Sequence, residues 1–374
     1  MSEASTPFSS APRGVTRRRA FRIVAAAAGL PLMIAALRAT VPAGQLFNWQ
    51  GEVLGGLAEL SLWHTDEATA RRAIRKVEAE IARYEGIFSL AQAESEISRL
   101  NAAGSLARPS AELRALMEEG RRFSVLSGGA FDVSVQPLWR LYEAHFWSGR
   151  TIANEVSGDD ILARAHDVAR ALVDYRGIEI GAGRIAFARS GMAVTLNSLA
   201  QGYITDAAAD LLRNEGFDSA FVDLGEIRTL GRHPEGRPWR IGVRDGRPAA
   251  GRAETSPAGA GAGSADPAGP AHEQPAPMVE LADSAMAVSG GYGTTFEPSG
   301  RYHHIFDPTT GDSARALIDA AVIGPRATVA NGLSTALCVA GETRAAAMLA
   351  ACPGYRAILT RPDGTRAEVG GSTA

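Results

Sequence analysis

Lysine is nearly missing from this chain. Of 38 basic residues, Lys76 is the only lysine and the rest are arginine. That excludes Schiff-base chemistry and a P-loop lysine unless Lys76 supplies them. Cysteine is scarce as well, with two in 374 residues, too few to staple a chain of this length. No CxxC, HExxH or EF-hand pattern occurs, which argues against a soft-metal site. No G-x-S-x-G elbow is found. There is no basic excess either: 41 acidic residues leave a net charge of −3, so DNA, RNA or other nucleic acid is not an expected partner.

What is present begins with an address. Arg17-Arg18-Arg19-Ala20-Phe21-Arg22 precedes an apolar run of 15 residues, Ile23 to Leu37. A membrane-spanning helix needs roughly 20, whereas the apolar region of a signal peptide fits this length. The arginine pair before Phe21 reads as a twin-arginine export signal, with Val41-Pro42-Ala43 offering small residues for cleavage. The expected domains are a signal peptide over 1–43 and a working domain over 44–374. Cleavage removes six arginines and one glutamate, which takes the net charge from −3 to −8. The expected location is the periplasm, with membrane anchoring if the signal is retained.

Apolar periodicity sketches the working domain. Gly51 to His64 reads as a strand, and Asp66 to Tyr84 as a helix burying Ala70, Ile74, Val77 and Ile81, with Lys76 off that stripe. Ser110 to Leu126 reads as a helix capped by Ser110. Ala130 to Val135 has extended character. Asp160 to Val173 reads as a helix, and Arg176 to Leu196 as a hairpin. Leu199 to Glu215 and Thr328 to Val339 read as helices. Phe217 to Leu230, Trp239 to Arg244, Val279 to Ser289 and Ile318 to Ile323 read as strands. Between about 246 and 277 the chain turns to Gly, Ala and Pro, and reads as a flexible insertion. Trp139, Tyr142, Phe146 and Trp147 read as core packing. Ser289-Gly290-Gly291-Tyr292-Gly293-Thr294-Thr295 reads as a turn, with phosphate contact as the alternative. A Cys338–Cys352 disulfide stays open.

Tyr302-His303-His304-Ile305-Phe306-Asp307-Pro308-Thr309-Thr310-Gly311 is denser in reactive groups. Histidine near aspartate suits proton transfer. Alternation would put His304 and Phe306 on one face, His303 and Ile305 on the other. This segment resembles the H-I-x-D-P-x-T-G stretch of ApbE-type flavin transferases. So, in order, do Ser95-Glu96-Ile97-Ser98-Arg99-Leu100-Asn101, Gly129-Ala130-Phe131-Asp132, Ala200-Gln201-Gly202-Tyr203 with Asp206, Val222-Asp223-Leu224-Gly225-Glu226-Ile227, and Ala330-Asn331-Gly332-Leu333-Ser334-Thr335.

The resemblance implies an α+β fold of T-fold-like architecture, with antiparallel sheets, packed helices and a central FAD cleft. It implies an FAD:protein FMN transferase that moves FMN onto a Thr or Ser hydroxyl of a periplasmic target protein, such as an FMN-binding membrane protein of a respiratory system. By the same resemblance Mg²⁺ is held by Asn331, Ser334, Thr335 and the stretch around Ser198. FAD is contacted by Ala130, Phe131, Asp132, Thr195, Gln201 and Ile305. His304 or Asp307 handles the acceptor hydroxyl. Three positions depart from the family. Asn331 and Thr195 stand where aspartate is usual, and Gln201 stands for lysine. Those departures give a second reading: a non-catalytic FAD-binding maturation or electron-transfer partner of a periplasmic redox enzyme.

Overall fold

A computed structural model describes residues 44–147, 158–243 and 278–371. The expected signal peptide (1–43) and the expected Gly/Ala/Pro insertion (about 246–277) lie outside the described residues.

The first strand expectation is corrected. Leu54 and Gly55 both take positive φ, 50° and 86°, and reverse the chain between β1 (Gln45–Val53) and β2 (Gly56–His64). Read along the sequence, Leu54 and Gly55 fall inside the single strand expected over Gly51 to His64. Asp66 then caps α1 (Glu67–Phe88) by accepting from the Ala68 and Thr69 N–H groups. Lys76 lies exposed on α1 and pairs with Glu215 at 2.6 Å. Next come α2 (Glu96–Ala103), β3 (Ser105–Ala107) and α3 (Ala111–Leu126), whose Ser110 cap accepts from Leu113 N–H.

Over 130–135 the expected extended stretch closes into a 3-10 turn at Val133–Val135. Asp132 draws it shut, because its Oδ1 accepts from the Ser134 N–H at 2.7 Å and the Ser134 hydroxyl at 2.6 Å. Helix α4 (Gln136–Phe146) follows, with Pro137 in its first turn, where the missing N–H costs nothing. Then come α5 (Gly158–Ala171), β4 (Ile178–Ile180), β5 (Arg184–Phe187), α6 (Asn197–Asn214), β6 (Ala220–Asp223), β7 (Ile227–Leu230) and β8 (Trp239–Gly242). The last group is β9 (Met278–Leu281), β10 (Ala285–Gly290), β11 (Asp319–Gly324), α7 (Ala327–Ala340), α8 (Glu342–Ala350), β12 (Arg356–Thr360) and β13 (Arg366–Gly370).

The main sheet has eight antiparallel strands in the order β1-β2-β6-β7-β10-β11-β12-β13. Smaller sheets are β3-β5-β4 and β8-β9. Alternation along β11 explains the layering. Ala320 and Val322 join the helical core with Leu333 and Leu337 of α7. Ala321 and Ile323 face a second core with Trp239, Ile241, Val279 and Leu281 of the β8-β9 ribbon. The class is α+β, as expected. Cys338 and Cys352 are buried free thiols.

Two residues of α6 fix the junction with α7. Gly202 is the first: a Cβ there would lie 2.5 Å from the Ala327 carbonyl oxygen, so only glycine lets the helices meet. Asp206 is the second, and it is fully buried. No side chain of α7's own N-cap region serves its first turn. Asp206 does so from α6, accepting from Ala327 N–H at 3.0 Å, Thr328 N–H at 2.9 Å and the Thr328 hydroxyl at 2.6 Å. Arg228 of β7 pairs with the same carboxylate at 3.0 Å and with Asp210 at 2.8 Å.

Removing Asp206 strands the buried Ala327 and Thr328 N–H donors and leaves Arg228 with Asp210 as its remaining carboxylate partner, and breaking such a buried network costs about 3–5 kcal/mol. Asp206→Ala should therefore lower the denaturant-unfolding free energy by about that amount. A loss under about 1 kcal/mol, the scale of an exposed pair, would contradict the junction described.

Candidate functional site

Strand register brings three turns to one end of the main sheet. Glu59↔Asp223 pairing sets the β1–β2 turn beside the β6–β7 turn, and Met286↔Ile227 sets the far end of β10 next to both. A cavity of about 990 Å³ opens there, at the top of the roughly 300–1,000 Å³ range of small-molecule sites. Its walls are the 54–57 turn, the 130–136 segment, the first turns of α6, the 225–227 turn, 288–298 after β10, 304–306, and one face of α7.

Ten of the twelve residues singled out from sequence line this cavity: Ala130, Phe131, Asp132, Thr195, Ser198, Gln201, His304, Ile305, Asn331 and Thr335. Asp307 and Ser334 are not on the wall. Asp307 instead shapes its own turn, accepting from Thr309 N–H at 2.8 Å and, through its carbonyl, from Gly311 N–H at 2.7 Å. Ser334 is buried and supports from behind: its hydroxyl donates to the Asn331 carbonyl at 2.9 Å and lies 2.8 Å from the Ser289 hydroxyl. Ser289, which carried no expected role, also meets the Thr335 hydroxyl at 3.0 Å.

Helical spacing does put Asn331 and Thr335 on one face, one turn apart. Asn331 is buried, and its Nδ2 has no hydrogen-bond partner. Half a turn of the amide would present Oδ1 at the same place. Gln201 is held by two glycines. A Cβ at Gly56 would fall 3.2 Å from its Nε2, and one at Gly225 would fall 2.6 Å from it. Gly225 also needs its positive φ of 100°, which glycine adopts without strain.

The two adjacent histidines take opposite tautomers. His303 is buried; its Nδ1 accepts from Ile305 N–H at 3.3 Å, so Nε2 carries the proton and donates to the Ala314 carbonyl at 2.9 Å. His304 Nδ1 lies 3.1 Å from the Thr294 carbonyl. A carbonyl only accepts, so the proton sits on Nδ1 and Nε2 keeps its lone pair. The expected alternation fails here: His304, Ile305 and Phe306 all line the cavity. No regular strand runs through 302–306, only isolated bridges at His303 and Phe306. Gly291 makes room for His303, since a Cβ there would lie 2.7 Å from its ring.

The aromatic reading is corrected in part. Tyr142 belongs to a small core with Leu138, Phe296 and Phe306, and Phe146 packs against it. Trp139 packs against that core too and also lines the cavity, as does the exposed Trp147, each on Phe296 with ring centroids 5.1 and 5.2 Å apart. The 289–295 segment is more than a turn, since most of it forms cavity wall.

Charge on the wall is unusual for a phosphate site. No arginine or lysine lines it among the described residues. Three carboxylates do, and each is engaged. Asp132 Oδ2 accepts from Tyr175 N–H at 2.9 Å while Oδ1 holds Ser134. Glu297 accepts from Ser299, Arg301 and Tyr302 N–H groups. Glu226 is buried and bonded to the Val288 backbone N–H, and burial, with Asp223 nearby, pushes its carboxyl well above the usual range. Burial raises Asp223 to about 7. No cluster of three acidic, His or Cys groups able to hold a metal occurs among the described residues.

Comparison with known proteins places these features. The ApbE family profile matches residues 54–359, and the chain belongs to that family. It is 30% identical over 269 residues to the FAD:protein FMN transferase of Treponema pallidum, covering 67% of this chain and 66% of that protein. The enzyme of that name from Vibrio cholerae is 29% identical, covering 62% of each. The chain thus spans slightly under two thirds of the length of these relatives. Among solved structures, the flavin transferase ApbE from Vibrio cholerae aligns with a TM-score of 0.68 at 23% identity, covering 87% of this chain and 97% of that one. The ApbE protein from Thermotoga maritima aligns at 0.69 and 23%, with the same coverage. These likenesses carry the fold.

Burial lowers His304 to about 4 from an ordinary value of 6.5, against the opposing Thr294 bond. The folded value is depressed, so its contribution to stability is complete above pH 6.5 and is lost as pH falls toward 4. Asp223 has the opposite sign: raised to about 7 from 3.8, it contributes below 3.8 and the contribution is lost as pH rises through 7. A proton-NMR titration of His304 should show its midpoint near pH 4. A midpoint at 6.5 would contradict the buried, Thr294-bound ring.

Proposed function

We propose that this protein is an FAD:protein FMN transferase. The observation that carries the reading is the gathering of ten of the twelve residues indicated by the family resemblance, from four separate segments, onto one cavity wall, within a chain matched to the family over 54–359. The acceptor hydroxyl of a target protein attacks the FMN-side phosphorus of FAD. The new P–O bond forms, the P–O bond to AMP breaks, and AMP leaves with the electron pair.

His304 takes the acceptor proton on Nε2, with the Thr294 carbonyl holding the ring. Its ring is neutral well below pH 7, so Nε2 is open to accept that proton. Asp132 fixes the 130–136 wall rather than touching substrate charge, since both of its oxygens are occupied. Trp139 and Trp147 offer flat apolar faces suited to a flavin or adenine ring.

Magnesium belongs to the same proposal. The oxygens of Asn331 and Thr335, with the stretch at Ser198, fit its preference for oxygen ligands. When bound, the ion supplies charge neutralisation on the pyrophosphate. The arginine pair before Phe21 and the apolar run after it support export by the twin-arginine route and a periplasmic enzyme. Its target is then a periplasmic protein carrying an acceptor Thr or Ser, such as an FMN-binding membrane protein of a respiratory system.

The test incubates the 44–374 chain with FAD, Mg²⁺ and a periplasmic domain bearing an acceptor threonine. Covalent flavin fluorescence on the denatured target, with AMP released, is expected. His304→Ala should reduce the rate by about 10²–10⁴ while FAD still binds. FAD binding without any label on the target would instead favour a non-catalytic FAD carrier.

A further inference from the structure

The cavity poses an electrostatic problem of its own. A dinucleotide pyrophosphate carries two negative charges, yet the wall holds no arginine or lysine among the described residues. Its histidine is neutral at physiological pH. Under the transferase reading, on which this inference rests, the balancing charge comes from a divalent cation.

The protein, however, offers that cation little. Magnesium sites are commonly built from one or two carboxylates together with substrate phosphates, and the ion gives up its waters reluctantly. Here the oxygens grouped at α7 are neutral: the Asn331 amide and the Thr335 hydroxyl, backed by Ser289. The three wall carboxylates are spent elsewhere, as described. Asp319 is buried behind Gly290 beside the Cys338 thiol, off the wall. The orphaned Asn331 amide shows a polar group in place with no protein partner.

We propose that the described residues of this cavity build no stand-alone divalent-metal site, and that the cation and FAD bind there as one unit, the pyrophosphate supplying the anionic ligands that Asn331 does not. Metal and dinucleotide then bind with strong mutual dependence. By linkage, each raises the affinity for the other by the same factor.

Mn²⁺ serves as the probe, its free and bound forms separated by electron paramagnetic resonance, with FAD binding followed in parallel by flavin fluorescence. Without FAD, the protein should leave Mn²⁺ free. With FAD, one Mn²⁺ per flavin should bind, and FAD affinity should rise at least 10-fold on adding the metal, within the usual range of coupling between sites. Asn331→Asp should bind Mn²⁺ without FAD. Wild-type protein that takes up Mn²⁺ equally well with and without FAD would overturn the proposal. So would FAD affinity indifferent to the metal, or an Asn331→Asp variant with no gain in FAD-independent Mn²⁺ binding. Failure of FAD to bind under any condition is a different outcome, since it would also remove the transferase reading.

Discussion

The Asp206 carboxylate is the interaction on which the site depends. It accepts five hydrogen bonds or ion-pair contacts, from Ala327, Thr328 twice, Arg228 and Arg326. A helix start buried without a capping group leaves N–H donors unsatisfied, and α7 has no cap of its own. By serving it from α6, Asp206 makes the two helices a unit. A carboxylate at the positive end of a helix is also favoured by the helix dipole. Gly202 permits the approach and Asp206 fastens it.

Everything at the cavity's rear follows from that junction. Ser198 and Gln201 sit one to two turns before Asp206 on α6, and Asn331 and Thr335 one to two turns after the capped end of α7. Ser289 ties α7 back to β10 through Thr335 and Ser334. The front is assembled from turns, each held by a local device: the Asp132 bonds, the glycines beside Gln201, and the paired tautomers of His303 and His304. Helices therefore carry Ser198, Gln201, Asn331 and Thr335, while turns and loops carry the 130–132 wall and His304.

Much of this was legible from sequence where the signal was local. The Ser110 cap, the α1 stripe and the one-turn spacing of Asn331 and Thr335 were read correctly because each depends on residues within a turn or two. Ordered motifs located most of the wall. What could not be read was long-range. The 130–135 turn is a local exception: Phe131, Val133 and Val135 alternate like a strand, while Asp132 closes the backbone on Ser134. Leu54 at positive φ is atypical for leucine, so the β1–β2 reversal went unseen. Glu226, Ser289 and Trp139 reached the cavity through sheet register and helix packing. The segments α4, α8, β12 and β13 were not anticipated. Asp307 seemed reactive by its neighbours, but its carboxylate is absorbed by its own turn.

The most direct measurement is single-turnover FMN transfer by Asp206→Asn, at a temperature where the variant remains folded, alongside hydrogen exchange at the Ala327 and Thr328 amides. If Asp206 sets the geometry of the site, those amides exchange faster and transfer slows on the order of 100-fold, the cost of misplacing groups remote from the chemistry. Faster exchange with transfer at the wild-type rate would contradict the account.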